Sequence, residues 1–186
     1  LSLGTGRSDR IRQAITAVFD NGTERIYSGR LIMSIRRYWQ KVRSKVKPPT
    51  MDHPRKSRRF RQMDRKESRQ VNHLLHLMTT DFVRRCWKAG VNTIAIGDLT
   101  GIREQIDDGS TLNQRLHAWP YGKIVRMIEY KVSLYGIEVV KFSEAYSSQT
   151  CNGGEVRKAN RVLRGFYWCD CGWRAHADVN DAANLF

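Results

Sequence analysis

Residues 92–99 read NTIAIGDL. The run is short and almost continuously apolar, the pattern of a strand covered on both faces rather than one that alternates between core and water. On its N-terminal side Val71, Leu74, Leu75, Met78, Phe82 and Cys86 recur at helical spacing, and Ala89-Gly90 closes that helix. Cys86 on the apolar face is a core residue there, not a ligand or nucleophile. On its C-terminal side Thr100 to Ser110 is a polar, glycine-punctuated loop. Beyond it Ile124, Ile128, Val132 and Tyr135 share one helical face, and Gly136 leads into a strand from Ile137 to Phe142. Strand, helix and strand in this order predict an α/β sheet with helices on its faces.

Farther upstream Gln13 to Phe19 alternates, Asp20-Asn21-Gly22 supplies a hairpin turn, and Thr23 to Tyr27 returns. With the apolar start at Leu1 to Leu3 this predicts three adjacent strands. From Leu31 to Val46 the apolar residues Leu31, Ile35, Trp39, Val42 and Val46 fall at helical spacing, and Arg36, Arg37, Lys41, Arg43 and Lys45 fill other positions, a helix with one basic side. Pro48-Pro49 ends it. Met51 to Arg69 then reads as an exposed basic connector, so Arg36, Arg37, Lys41, Arg43, Arg55, Lys56, Arg58, Arg59 and Arg61 are the candidate phosphate contacts.

The whole chain agrees with such a role. Lys and Arg number 33 against 18 Asp and Glu, a formal net charge of +15, which calls for a polyanionic partner. No run approaches the roughly 18 apolar residues of a membrane span, so nucleic acid is favoured over an anionic membrane. A length of 186 residues with 40% hydrophobic content accommodates one α/β domain and a small appended module. The first residues, LSLGTGRSDR, lack the charged leader and apolar core of a secretory signal, and the expected location is the cytoplasm, at the nucleoid if the source is prokaryotic. The chain does not begin with Met, which leaves a non-standard start codon or a fragment of a longer protein.

Three of the four cysteines cluster between Cys151 and Cys171, which fits a metal site better than a disulfide framework. The surrounding segment, Ser147 to Trp173, is a candidate metal knuckle inserted before a short final helix, Asp178 to Leu185. Its aromatic residues Phe166, Tyr167, Trp168 and Trp173 either pack as a small cluster or stack on unpaired bases.

From Ile94 onward four stretches in order, IAIGDL at 94–99, LNQRLHAWPYGKIVRMIEYKVSLYGIEVV at 112–140, SSQTC at 147–151 and CDCGWRAHADVNDAANL at 169–185, resemble the TnpB family of transposon-encoded, RNA-guided nucleases. LSLGTG at the start looks like that family's first RuvC motif, so the resemblance covers nearly the whole chain. It implies an RNase H-like (RuvC-like) mixed sheet with flanking helices and an inserted zinc-ribbon knuckle. The corresponding organisation is a RuvC-like core over 1–146 with a basic helical insertion at 31–69, a target nucleic-acid-binding insertion at 147–173, and a completing helix at 174–186. Guide RNA and DNA are the implied partners.

The resemblance further implies three carboxylates holding two Mg²⁺ ions for phosphodiester hydrolysis. Asp178 matches the third of them. Gly97 stands where the family has Glu, and Ser2 where it has Asp. Asp98 does not substitute for the missing Glu, because neighbouring strand residues face opposite ways. A serine hydroxyl is a poor anchor for a hard cation. The site is therefore expected to be catalytically impaired. Guided binding without cleavage, a decayed fragment and a residually active Mg²⁺ endonuclease are the three outcomes this leaves open. The zinc ribbon is also depleted: Cys151, Cys169 and Cys171 remain where the family has two cysteine pairs, with His176 or Asp170 as candidates for the fourth ligand.

Overall fold

The computed structural model describes residues 13–46, 57–98, 119–143, 150–152, 160–163 and 166–184. Ser2, Arg55, Lys56 and the loop expected from Thr100 lie outside them.

Strands β1 (Gln13–Val18) and β2 (Glu24–Ser28) form an antiparallel pair. Their turn is closed by the Gly22 N–H bonding to the Phe19 carbonyl at 2.8 Å, with Gly22 at φ +76°, a conformation that favours glycine. Helix α1 (Arg30–Arg43) follows. It begins immediately after Gly29, where a Cβ atom would fall 2.3 Å from the buried Trp119 ring, so only glycine lets that ring seat.

Helix α2 runs from Arg58 to Lys88, 31 residues or about 46 Å at 1.5 Å per residue. The Ser57 hydroxyl caps it by accepting from the Phe60 N–H at 3.2 Å. The basic connector expected up to Arg69 is thus helical from Arg58. Arg, Lys, Gln and Glu are good helix formers, and dense charge there marks a solvated helix rather than a loop.

Strand β3 (Thr93–Asp98) pairs in parallel with β4 (Glu138–Ser143), and helix α3 (Tyr121–Ser133) crosses between them in sequence. Ile94, Ala95, Ile96 and Gly97 are all buried, as the apolar run predicts. Ile124, Ile128 and Val132 of α3 are fully covered, whereas Tyr135, beyond the helix end, is 42% exposed. One core joins Ile15 of β1, Ile32 of α1, Leu75 and Phe82 of α2, Ile94 and Ile96 of β3 and Ile128 of α3. Cys86 is in it, and burial pushes its thiol up to about 12.

The C-terminal part is a three-stranded antiparallel sheet of β5 (Asn160–Leu163), β6 (Phe166–Trp168) and β7 (Arg174–His176), followed by helix α4 (Ala177–Ala183). Helix α4 packs against β1, β6 and β7. The described fold is mixed α/β, with antiparallel and parallel strand pairs covered by helices. No helix among the described residues is long and apolar enough to cross a membrane.

Candidate nucleic-acid interface and metal site

Charge is sorted across α1 and α2. Arg43 of α1 is ion-paired to Asp64 at 3.2 Å and also to Glu67, both on α2. The indole N–H of Trp39 donates to Gln70 Oε1 at 2.7 Å in the same contact. Arg36 is half-buried, and burial lowers its pKa against the opposing pull of Glu67. Arg36 and Arg43 therefore lie on the inward stripe with Ile32 and Trp39, while Leu31, expected on that stripe, is 57% exposed. Of the α1 candidates, Arg37 and Lys41 remain on the outer face.

The outer face of α2 is where positive charge concentrates. Arg58, Arg61, Arg65 and Arg69, three and four residues apart, share one exposed face, flanked by Arg59 and Lys66. The only acidic residues of this stretch, Asp64 and Glu67, are the ones turned to Arg43. Arg65, Lys66 and Arg69 belong to this surface, although the sequence alone reads them as part of a connector. Their helical spacing was the signal that could have found them.

The thiols of Cys151, Cys169 and Cys171 lie within 4.8 Å of one another, with Cys151 Sγ and Cys171 Sγ 3.5 Å apart. Tetrahedral Zn–S bonds of about 2.3 Å require S···S separations near ~3.8 Å, so the three atoms fit three corners around a thiophilic cation. A tight turn explains the spacing. The Cys169 N–H donates to the Trp173 carbonyl and the Gly172 N–H to the Cys169 carbonyl, both at 3.0 Å, with Gly172 at φ +89°. The two cysteines of CDCG thereby flank one hairpin tip. The Trp173 backbone N–H, with the neighbouring thiols, holds the Cys171 thiol below its usual pKa.

Cys151 arrives from a separate segment, fixed by α4. Asn180 is fully buried; its amide donates to the Thr150 carbonyl at 2.8 Å, and its Oδ1 accepts from the Asn152 N–H at 3.2 Å. Asn184, one turn on, donates to the same Thr150 carbonyl at 2.7 Å. Sequence reasoning missed this clamp, whose trace is the pair of asparagines four apart in VNDAANL. Tyr167, Cys169, Cys151 and Ala177 form a small core with Trp173 against it.

His176 is not in the thiol group. Its Nδ1 accepts from the Asp178 N–H at 3.3 Å and lies 3.7 Å from Asp178 Oδ2, which makes it the N-cap of α4. Asp170 is exposed and also outside the group. Among the described residues no fourth ligand joins the three thiols.

Asp178 opens α4 with its side chain 14% exposed. Gly97 pairs with Phe142 and Asp98 with Ser143 in an unbroken parallel register. The Gly97 position thus offers no side-chain oxygen to a cation.

Residues 11–103 match the family model OrfB_IS605, described as "Probable transposase", and residues 121–185 match the model described as "Cas12f1-like, TNB domain". The TnpB-like protein ORF457 of Acidianus two-tailed virus is 30% identical over 128 residues, covering 69% of this chain and 27% of that protein. The CRISPR-associated endodeoxyribonuclease Cas12f1 of Sulfoacidibacillus thermotolerans is 38% identical over 100 residues, covering 53% of this chain and 22% of that protein. The chain therefore spans about a quarter of the length of these relatives. Among solved structures, a Cas12f1–sgRNA–target DNA complex superposes with a TM-score of 0.72 at 19% identity, over 94% of this chain and 47% of the other. A CRISPR-Cas12f ternary complex gives 0.67 at 19% identity, over 94% of this chain and 36% of the other. With one family model matching half of the chain and the motif order, fold and relatives agreeing, the chain belongs to the TnpB-type, OrfB family of transposon-associated proteins.

Proposed function

We propose that this chain is the RuvC-like and target-binding part of a TnpB-type protein that holds DNA and guide RNA without cutting the DNA. The observation that carries the reading is Gly97, a buried glycine in β3 at the position where the family resemblance calls for Glu. Two Mg²⁺ ions close together need several anionic oxygens to offset their repulsion. Ser2 and Gly97 supply none, and Asp178 alone leaves a donor set that does not fit the pair. The RNase H-like core of 1–146, the insertion of 147–173 and the closing helix of 174–186 are part of this reading, as is a cytoplasmic location.

Binding rests on the acid-free face of α2 with Arg58, Arg59, Arg61, Arg65, Lys66 and Arg69, joined by Arg37 and Lys41 of α1. Cys151, Cys169 and Cys171 would hold Zn²⁺, which would tie the Cys151 segment to the hairpin and stiffen the insertion.

The test is binding and cleavage by the same preparation. With about six phosphate contacts, log affinity falls against log salt with a slope of about −5. Replacing Arg58, Arg65 and Arg69 by Glu reduces that slope by about 3. In Mg²⁺ the parent chain releases no product above background. Guided cleavage by the parent that Asp178→Ala abolishes, at a rate equal to that of a Ser2→Asp, Gly97→Glu double variant, would overturn the reading.

A further inference from the structure

The hairpin of β6 and β7 divides its aromatic residues by strand alternation. Tyr167 points into the small core under the thiols and is 1% exposed. Phe166 and Trp168, one residue to either side, share the opposite face and are 49% and 42% exposed. Arg174 sits directly across from Trp168 in the β6–β7 register, and its guanidinium carbon lies 4.4 Å from the centre of the Trp168 ring. Among the described residues no carboxylate pairs with Arg174. The sheet thus presents two aromatic rings and a planar cation on one open face.

The geometry points to a base-stacking platform, Phe166–Trp168–Arg174, for unpaired nucleotides of a DNA strand. This rests on the nucleic-acid-binding reading above and extends it to a second kind of contact. The α2 face meets phosphates through charge; the platform meets the π-faces of bases, which every base carries, while Arg174 adds attraction for the backbone. The occupant is DNA because of where the platform leads. Phe166 pairs in register with His176, the residue that caps α4 at Asp178. A strand lying across the platform therefore runs toward the carboxylate kept at the position the family resemblance assigns to DNA cleavage. An apolar protein partner is disfavoured by the Arg174 guanidinium on the edge strand of that face, which no carboxylate among the described residues pairs, and by a net charge of +15.

The experiment uses the full chain and labelled oligonucleotides of about 12 residues, as single-stranded DNA, the same sequence as RNA, and duplex DNA. Trp168→Ala and Phe166→Ala should each weaken single-stranded DNA binding about tenfold. Duplex affinity and the salt slope should stay unchanged, since stacking releases no counterions. Trp168→Tyr, which keeps an aromatic plane, should restore most of the loss, and this separates stacking from damage to the hairpin. Single-stranded affinity within twofold of the parent in both alanine variants overturns the platform alone, as does equal loss in Trp168→Tyr. Tenfold preference for RNA overturns the assignment to DNA. Failure of the parent to bind any nucleic acid overturns the proposed function and the platform together.

Discussion

Replacing Asn180 with Ala should loosen the segment that carries Cys151. The side chain is fully buried and makes two hydrogen bonds to backbone, one to the Thr150 carbonyl and one from the Asn152 N–H. Each such bond contributes about 1 kcal/mol net, and Asn184 still donates to the Thr150 carbonyl, so the loss amounts to about 2 kcal/mol. That corresponds to a shift of about 30-fold in the equilibrium that seats residues 150–152 against α4. A cation held by Cys151 together with the hairpin thiols loses affinity by a similar factor, because seating and binding are coupled. The assay is amide exchange of the Asn152 N–H, with transfer of Zn²⁺ to a colorimetric chelator as the second readout. Asn180→Asp is the sharper comparison. It keeps an acceptor for Asn152 but turns the donor to Thr150 into an oxygen, so it should destabilise more than Ala at neutral pH and recover on acidification. Unchanged exchange and metal release within twofold in Asn180→Ala would refute the clamp.

Three further outcomes follow from the packing. Arg43→Ala should destabilise the chain by about 1–3 kcal/mol in denaturant unfolding, because Asp64 and Glu67 then face α1 without their cation; Arg37→Ala, on the outer face, should change stability by less than about 0.5 kcal/mol. Lys131 is buried and donates to Thr79, Thr80 and the His76 carbonyl, and burial lowers its pKa below 10.5. The unfolded chain thus binds this proton more readily than the folded one, so parent stability relative to Lys131→Met should rise as pH climbs from the lowered value to 10.5. Asp81 accepts from Arg85 and from the Tyr27 hydroxyl, both at 2.8 Å, and the Arg85 bond leads in holding its pKa below 3.8. Its contribution is present above pH 3.8 and lost as pH falls through the folded-state value, so Asp81→Asn should flatten the acid limb of the unfolding curve.

The strand at 93–98 was legible because both its faces are apolar, and α3 because Ile124, Ile128 and Val132 repeat cleanly. The start of α2 was not. Between Arg58 and Arg69 the buried residue is Met63 alone, so the amphipathic signal that identifies a helix is nearly absent where most of the surface faces water. On α1 the choice between Leu31 and Ile32 as the inward residue turns on what α2 offers. Arg43 is drawn inward by two carboxylates from a helix that the local periodicity cannot see. In the hairpin the four aromatics look alike by composition, and only the alternation of β6 separates Tyr167 from Phe166 and Trp168. At the candidate site the grouping of Cys151, Cys169 and Cys171 was readable from their clustering, whereas Asn180 was hidden because its partners are backbone atoms 28 and 30 residues away.

The sorting of charge between the two sides of α2 sets how the molecule answers to ionic strength. The Arg43 pairs are partly shielded and close, so mobile ions weaken them little, while the outward arginines meet an anion through open solvent. A salt gradient should strip bound polyanion from the surface well before it loosens the two-helix support. On the proposed function, nucleic acid carried through purification is then removed by washing, and the same protein returns to low salt with its outward arginines ready to bind again.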